Sequence, residues 1–139
     1  MLFRSEFSEK LYDDGYHNIY NIDNSEIVID QMKIRNANRK DMIYECMDAT
    51  DLKFPNSFFD FIFDKSTIDA ILCGDSGDLK VALMTKEAQR TLKVGSHYFI
   101  VSYGEPGIRE IHFQRMHLSL EISEYKISIF QKPPPKFLN

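Results

Sequence analysis

Several things are scarce in this sequence. Cysteine occurs only twice, as Cys46 and Cys73. That excludes a disulfide framework, shows no metal-like spacing, and suits a reduced, cytoplasmic setting. Long hydrophobic runs are missing as well. The stretch Phe58–Phe63 is broken by Asp60, far short of the roughly 18 apolar residues a membrane span needs. The first ten residues carry Arg4, Glu6 and Glu9 with no apolar run, so no secretory signal is expected there. Positive charge is not in excess: 17 Lys and Arg face 21 Asp and Glu, a net charge of −4. A protein that worked by neutralising phosphates would be basic, so no nucleic-acid partner is expected.

What is present suits a folded chain. Of 139 residues, 43% are hydrophobic and 27% charged, and the length fits a single domain over residues 1–139. Phe7 and Leu11 lie four apart in a segment that predicts a helix from Ser5 to Gly15, with the glycine as its stop. His17–Asp23 predicts a strand ending in a carboxylate. Asn24 and Ser25 are capping residues for a helix running to about Asn36, with Val28 and Met32 on one face. Met42–Met47 predicts a second strand, followed by the polar turn Asp48–Asp51. Phe58–Asp64 is nearly continuous in apolar residues, the pattern of a strand buried on both faces. Asp78 is expected to cap a helix carrying Val81, Met84, Ala88 and Leu92, ended by Gly95. His97–Tyr103 predicts a further strand, and Leu118–Phe130 a bent strand or weak hairpin.

Strands alternating with helices predict an α/β fold with a parallel sheet. Ligands of such sheets lie at the carboxyl ends of the strands. Asp23 there can accept from two ribose hydroxyls, because a carboxylate is acceptor-only with two oxygens; alternatively it caps the helix that follows. Asp48 can accept from an adenine amino group, or be a turn residue. Together, two strand-terminal acids on successive units raise the nucleoside reading. Asp64 can face a cationic ligand, or the segment Ser66-Thr67-Ile68-Asp69 simply opens a helix. His17, His97, His112 and His117 show no ligand spacing, so no metal is expected. No nucleophile–base pair and no Gly-x-Ser-x-Gly is present, and no catalytic residue is assigned.

Three ordered stretches carry a resemblance: SEFSEKLYDDGYHNIYNID, MDATDLKFPNSFFDFIFDKSTIDAIL and LKVGSHYFIVSYGEPGIREIHF. From Ser5 to Phe113 the chain resembles the class I S-adenosylmethionine-dependent methyltransferases, in the branch that methylates lysines of translation elongation factor 1A. The family pattern Asp-Lys-Gly-Thr-(Leu/Ile)-Asp-Ala corresponds to Asp64–Ala70, with Ser66 in the glycine position. Its Ser-Tyr-Gly-x-Pro corresponds to Ser102–Pro106, followed by Arg109 and His112-Phe113. The resemblance implies a Rossmann-like sheet, S-adenosylmethionine as cofactor and a protein lysine as substrate. It places the ribose acid at Asp23 with Asn24 beside it, the adenine-edge acid at Asp48 with Ala49 beside it, and backbone near the cofactor at Lys65. Tyr103 is a candidate wall on the substrate side.

The family also carries a first, central strand leading into Gly-Cys-Gly-Asn-Ser, of which only Ser5 is matched. The expectation is therefore an incomplete sheet, cut at both ends. The strands ending at Asp23 and Asp64 should each lack one neighbour, leaving edges open to self-association. Weak cofactor binding follows, because backbone contacts from that glycine turn would be lost. The alternative reading is a non-catalytic family remnant that acts at most as a binding module.

Overall fold

The computed structural model describes residues 6–115, 118–119 and 121–123. The leading helix is α1 (Phe7–Asp13). It stops where Gly15 turns to φ 96°. There the Gly15 N–H donates to Tyr12 O and the Tyr16 N–H to Leu11 O, each at 3.0 Å. This pairing satisfies carbonyls that the last turn leaves open, and the left-handed residue it needs is cheapest as glycine.

β1 (Ile19–Asp23), α2 (Glu26–Arg35) and β2 (Met42–Cys46) follow as the sequence predicts. Ile29 and Met32 of α2 close over Met42 and Tyr44 of β2, with Tyr12, Ile19 and Val28 packed around them. Polar contacts fasten α1 to this unit. The buried Glu9 carboxylate accepts from Arg35 Nη2 at 2.8 Å and from Asn36 Nδ2 at 3.2 Å. A buried carboxylate is tolerable only when paired in this way.

The second half contains β3 (Phe59–Lys65), α3 (Thr67–Leu72), α4 (Gly77–Thr91), β4 (Leu92–Val101) and α5 (Pro106–Glu110). Its core is Ile68, Val81 and Met84, joined by Ile71, Leu72, Ile100, Phe113 and, from the first half, Ala49. Three expectations are corrected here. Asp78 lies inside the first turn of α4 and does not cap it. The start is set one residue earlier, at Gly77, where a Cβ would come within 2.8 Å of Leu72 Cα. Gly95 does not end the helix either. The chain turns extended at Leu92, after Ser57 N–H and Phe58 N–H have taken the Arg90 and Thr91 carbonyls at 2.9 and 2.7 Å. Gly95, at φ 80°, instead lies within β4, on the stretch where the pairing slips from Phe59↔Leu92 to Phe61↔His97.

The third correction concerns β3, which is not buried on both faces. Phe61 is 48% exposed. Its side shares the sheet face of Phe63 and Phe99, where the Phe7 ring of α1 stacks 4.0 Å from Phe63. The expected element over Leu118–Phe130 lies mostly outside the described residues; residues 118, 119 and 121–123 carry no strand.

The strands form two parallel pairs, β1 with β2 and β3 with β4. Among the described residues, β1 and β3 each have a single hydrogen-bonded neighbour, as the sequence led us to expect. Side chains bridge the halves instead. Tyr20 of β1 meets Phe54, Phe58 and Phe59 edge-on at 5.4–5.7 Å. Within the first half, the Ser8 hydroxyl of α1 donates to Asn21 Oδ1 of β1 at 2.5 Å. Arg90 of α4 holds the connecting segment by donating to the Leu52 and Phe54 carbonyls at 2.9 and 2.8 Å.

Candidate functional site

Asp23 and Asp48 come together because their strands are neighbours in parallel register. Asp23 pairs with Cys46, and its carbonyl accepts the Met47 N–H at 3.0 Å. That last ladder bond delivers Asp48 just beyond the end of β2. Both side chains are exposed. Asp23 Oδ1 accepts the Ser25 N–H at 2.8 Å, while Ser25 caps α2 through its own hydroxyl, which accepts from Val28 N–H at 3.4 Å. Asp48 Oδ1 accepts the N–H and the hydroxyl of Thr50, both at 2.8 Å. These bonds, the backbone one foremost, hold the Asp48 carboxyl below the ordinary carboxylate range, with Lys80 adding to the effect. In both residues the second oxygen, Oδ2, has no hydrogen-bond partner among the described residues. The two strand ends thus present two open acceptors.

The other expected residues lie around this pair. Asn24 is an exposed bend between β1 and the cap. Ala49 turns away from solvent into the Ile68, Val81 and Met84 cluster, so the Asp48 turn is braced against α3 and α4. Lys65 ends β3 on the second sheet, opposite Val101, and is exposed. The structure therefore brings Asp23 and Asp48 to one edge and leaves Lys65 on the strand pair across the unpaired edge.

Asp64 does not face a ligand, and the alternative helix-opening reading holds for its segment. Its carboxylate is turned inward, 6% exposed, and accepts the Thr67 and Ile68 N–H groups at 2.8 and 3.3 Å. Ser66, the residue between, takes φ 65° and makes no capping bond of its own. Asp64 therefore caps α3 from three residues back. Burial raises its carboxyl above the ordinary range, against the pull of these bonds.

One cluster lies at the carboxyl ends of β3 and β4, where the sequence offered Tyr103 as a candidate wall but did not join it to Asp69 or Arg109. Asp69 of α3 accepts the Ser102 hydroxyl at 2.5 Å and the Tyr103 N–H at 3.0 Å. It also accepts Arg109 Nε and Nη2 at 3.2 and 2.8 Å. The signal was present in the motifs Asp64–Ala70 and Ser102–Pro106 with Arg109, but nothing in their spacing joins them. Among the described residues no group of three or more His, Cys, Asp or Glu is arranged to hold a metal ion.

Parallel strand pairs covered by helices define an α/β class of fold whose ligands lie at the carboxyl ends of the strands, where the two acids stand. Residues 4–100 match the family described as "Methyltransferase domain", and the chain belongs to that family. It is 42% identical over 117 residues to the eEF1A lysine and N-terminal methyltransferase of Bos taurus, covering 80% of this chain and 17% of that one. The Mus musculus protein of the same name is 43% identical over 117 residues, with the same coverage. The chain thus spans about a sixth of the length of these relatives. Among solved structures, a SAM-dependent methyltransferase from Methanosarcina mazei superposes with a TM-score of 0.62 at 20% identity, over 76% of this chain and 50% of that one. That likeness bears on the fold, which is Rossmann-like.

The residues present fit one half of S-adenosylmethionine. Asp23 Oδ2 and Asp48 Oδ2 are free acceptors, the kind of group that ribose hydroxyls and an adenine amino group require. For the methionine half, the described residues offer no glycine turn at the edges of β1 and β3.

Proposed function

We propose that this chain holds S-adenosylmethionine in a methyltransferase directed at protein lysine. The observation that carries this reading is the pair of exposed carboxylates at adjacent parallel strand ends, each with an uncommitted oxygen. Asp23 accepts from the ribose hydroxyls and Asp48 from the adenine edge. Asn24 and Ala49 flank them, and Lys65 contributes backbone from the opposite strand pair. The cofactor supplies a methyl group on a sulfonium, activated for in-line displacement by an amine. The protein's part is to hold the two partners close and aligned. No residue is assigned as a general base. The lysine substrate rests on the names of the relatives and the elongation-factor resemblance.

Titration calorimetry with S-adenosylhomocysteine tests the cofactor assignment. Weak binding, above the micromolar range, is the expected result, because both carboxylates are exposed and each offers one open oxygen. Asp23→Ala should cost on the order of 1–3 kcal/mol of affinity by leaving ribose hydroxyls unpaired, and Asp48→Ala less. Binding unchanged by Asp23→Ala removes the ribose assignment.

A second reading is a binding module without catalysis. The single-neighboured edges of β1 and β3 favour it, since such edges recruit another strand. Self-association of the chain through those edges belongs to this reading. Light scattering across a concentration series should show a rising mass; a concentration-independent monomer argues against it. A single-domain chain in a cytoplasmic setting completes the proposal. It is supported by the two free cysteines and is checked by one cooperative melt and by fractionation of cells.

A further inference from the structure

We propose that Asp69 is a positioning residue for the acceptor side of the site, holding the Ser102–Gly104 loop so that the Tyr103 ring receives a cationic lysine side chain. This rests on the methyltransferase reading above and names the group that would meet its substrate. Tyr103 follows the carboxyl end of β4, where ligands of parallel sheets lie. Tyr103 is 83% exposed, yet its backbone N–H is tied down. The Tyr103 N–H donates to Asp69 Oδ2 at 3.0 Å.

The residues on either side are fixed as well. Ser102 Oγ donates to Asp69 Oδ1 at 2.5 Å and accepts from Arg109 Nε at 2.9 Å and from the Gly104 N–H at 3.0 Å. Arg109 closes the ring by donating to Asp69 Oδ1 from Nε and Nη2. A Cβ on Gly104 would stand 2.2–2.6 Å from the Arg109 guanidinium, so the loop wraps Arg109 as closely as its backbone allows. An exposed aromatic on backbone already ordered loses little freedom on binding.

Charge selects the guest. Arg109 is neutralised by Asp69 at 2.8 Å. Glu105, two residues further along the same loop, is exposed. The loop therefore carries an exposed carboxylate close in sequence to Tyr103 and no uncompensated positive charge from Arg109, and an ammonium group over a tyrosine face is attracted by the ring quadrupole. Asp69 itself is saturated with donors and does not serve as a base. Burial pushes its carboxyl up, but the bonds from Ser102, Tyr103 and Arg109 outweigh that and keep it ionised below the ordinary range.

The sequence contains no tryptophan, so Tyr103→Trp introduces a sole indole reporter in the 139-residue chain. The probes are acetyl-Ala-Lys-Ala-amide and its norleucine counterpart. The lysine peptide should shift the emission saturably, and the norleucine peptide should bind about threefold to tenfold more weakly. Adding Asp69→Asn should lower the indole anisotropy and weaken the lysine peptide about tenfold while the melt stays cooperative. If that variant does not fold, Ser102→Ala removes the hydroxyl that ties Asp69, Arg109 and the Gly104 N–H together, leaves the carboxylate in place, and should move both readouts in the same direction. Equal responses to the two peptides, or none, overturn the role of Tyr103. Unchanged anisotropy and affinity overturn the role of Asp69. The calorimetric titration with S-adenosylhomocysteine judges the cofactor reading separately, so failure there and failure here are distinguished.

Discussion

In the β1–β2 half, Asp23 ends its strand in solvent with one oxygen uncommitted; in the β3–β4 half, Asp64, one residue before the end of its strand, is buried with both oxygens taken. The local chemistry is the same, a strand, an aspartate and then a helix. The difference begins two residues later. Ser25 has an extended backbone and caps α2 with its own hydroxyl, so Asp23 is spared. Ser66 adopts a left-handed backbone and caps nothing, so the open N–H groups of α3 fall to Asp64. A carboxylate at a strand end is available to a ligand only when another residue satisfies the helix behind it.

The largest expected effect tests the core on which the second half rests. Ile68, fully buried against Val81 and Met84, should cost about 2–5 kcal/mol of stability as Ile68→Ala, read by urea denaturation. Next, the two strand-end acids should separate cleanly in the same experiment. Asp64→Ala should lose about 1–3 kcal/mol, because it removes a cap and leaves buried N–H groups unpaired. Asp23→Ala should lose less than about 0.5 kcal/mol, as a surface change. Equal losses would undo the distinction between the halves.

Acid should separate them more gently. Asp69 and Asp48 have lowered carboxyls when folded, so the stability they contribute is present above the ordinary value of 3.8 and is lost as pH falls through their folded values. Asp64 is raised, which has the opposite sign: its contribution falls as pH climbs from 3.8 through its folded value. Urea midpoints across the acid range should therefore fall less steeply toward low pH in Asp69→Asn than in the parent chain. The smallest effect is a gain. Ser66 holds φ 65°, and Ser66→Gly should relieve that strain and stabilise by about 0.5–1 kcal/mol, with part of the gain offset by a freer unfolded chain. A loss of stability on that change would show that Ser66 makes a contact worth more than its strain.

The first half was the more legible. Its helix is capped by the residue the sequence points to, and Asp23 and Asp48 lie where a strand-end rule puts them. The second half was less so, because its decisive contacts span long stretches of chain. Asp69 meets Ser102 across 33 positions and Arg109 across 40, and no periodicity carries information over that distance. The ends of α4 were misread for a related reason. Asp78 and Gly95 have the local chemistry of a cap and a stop, but the close approach of α3 at Gly77 and the arrival of the β3 entry at the last carbonyls set the boundaries instead.

The sequence by itself determined the alternation of helices and strands through β4, the parallel α/β class and the family, because apolar spacing, capping residues and strand-end acids act over a few residues. Only the tertiary structure decided which acids stay open. Whether a carboxylate is spent depends on which N–H groups reach it, and that is set by a left-handed serine at position 66 and by a loop that returns to Asp69 from the far end of β4.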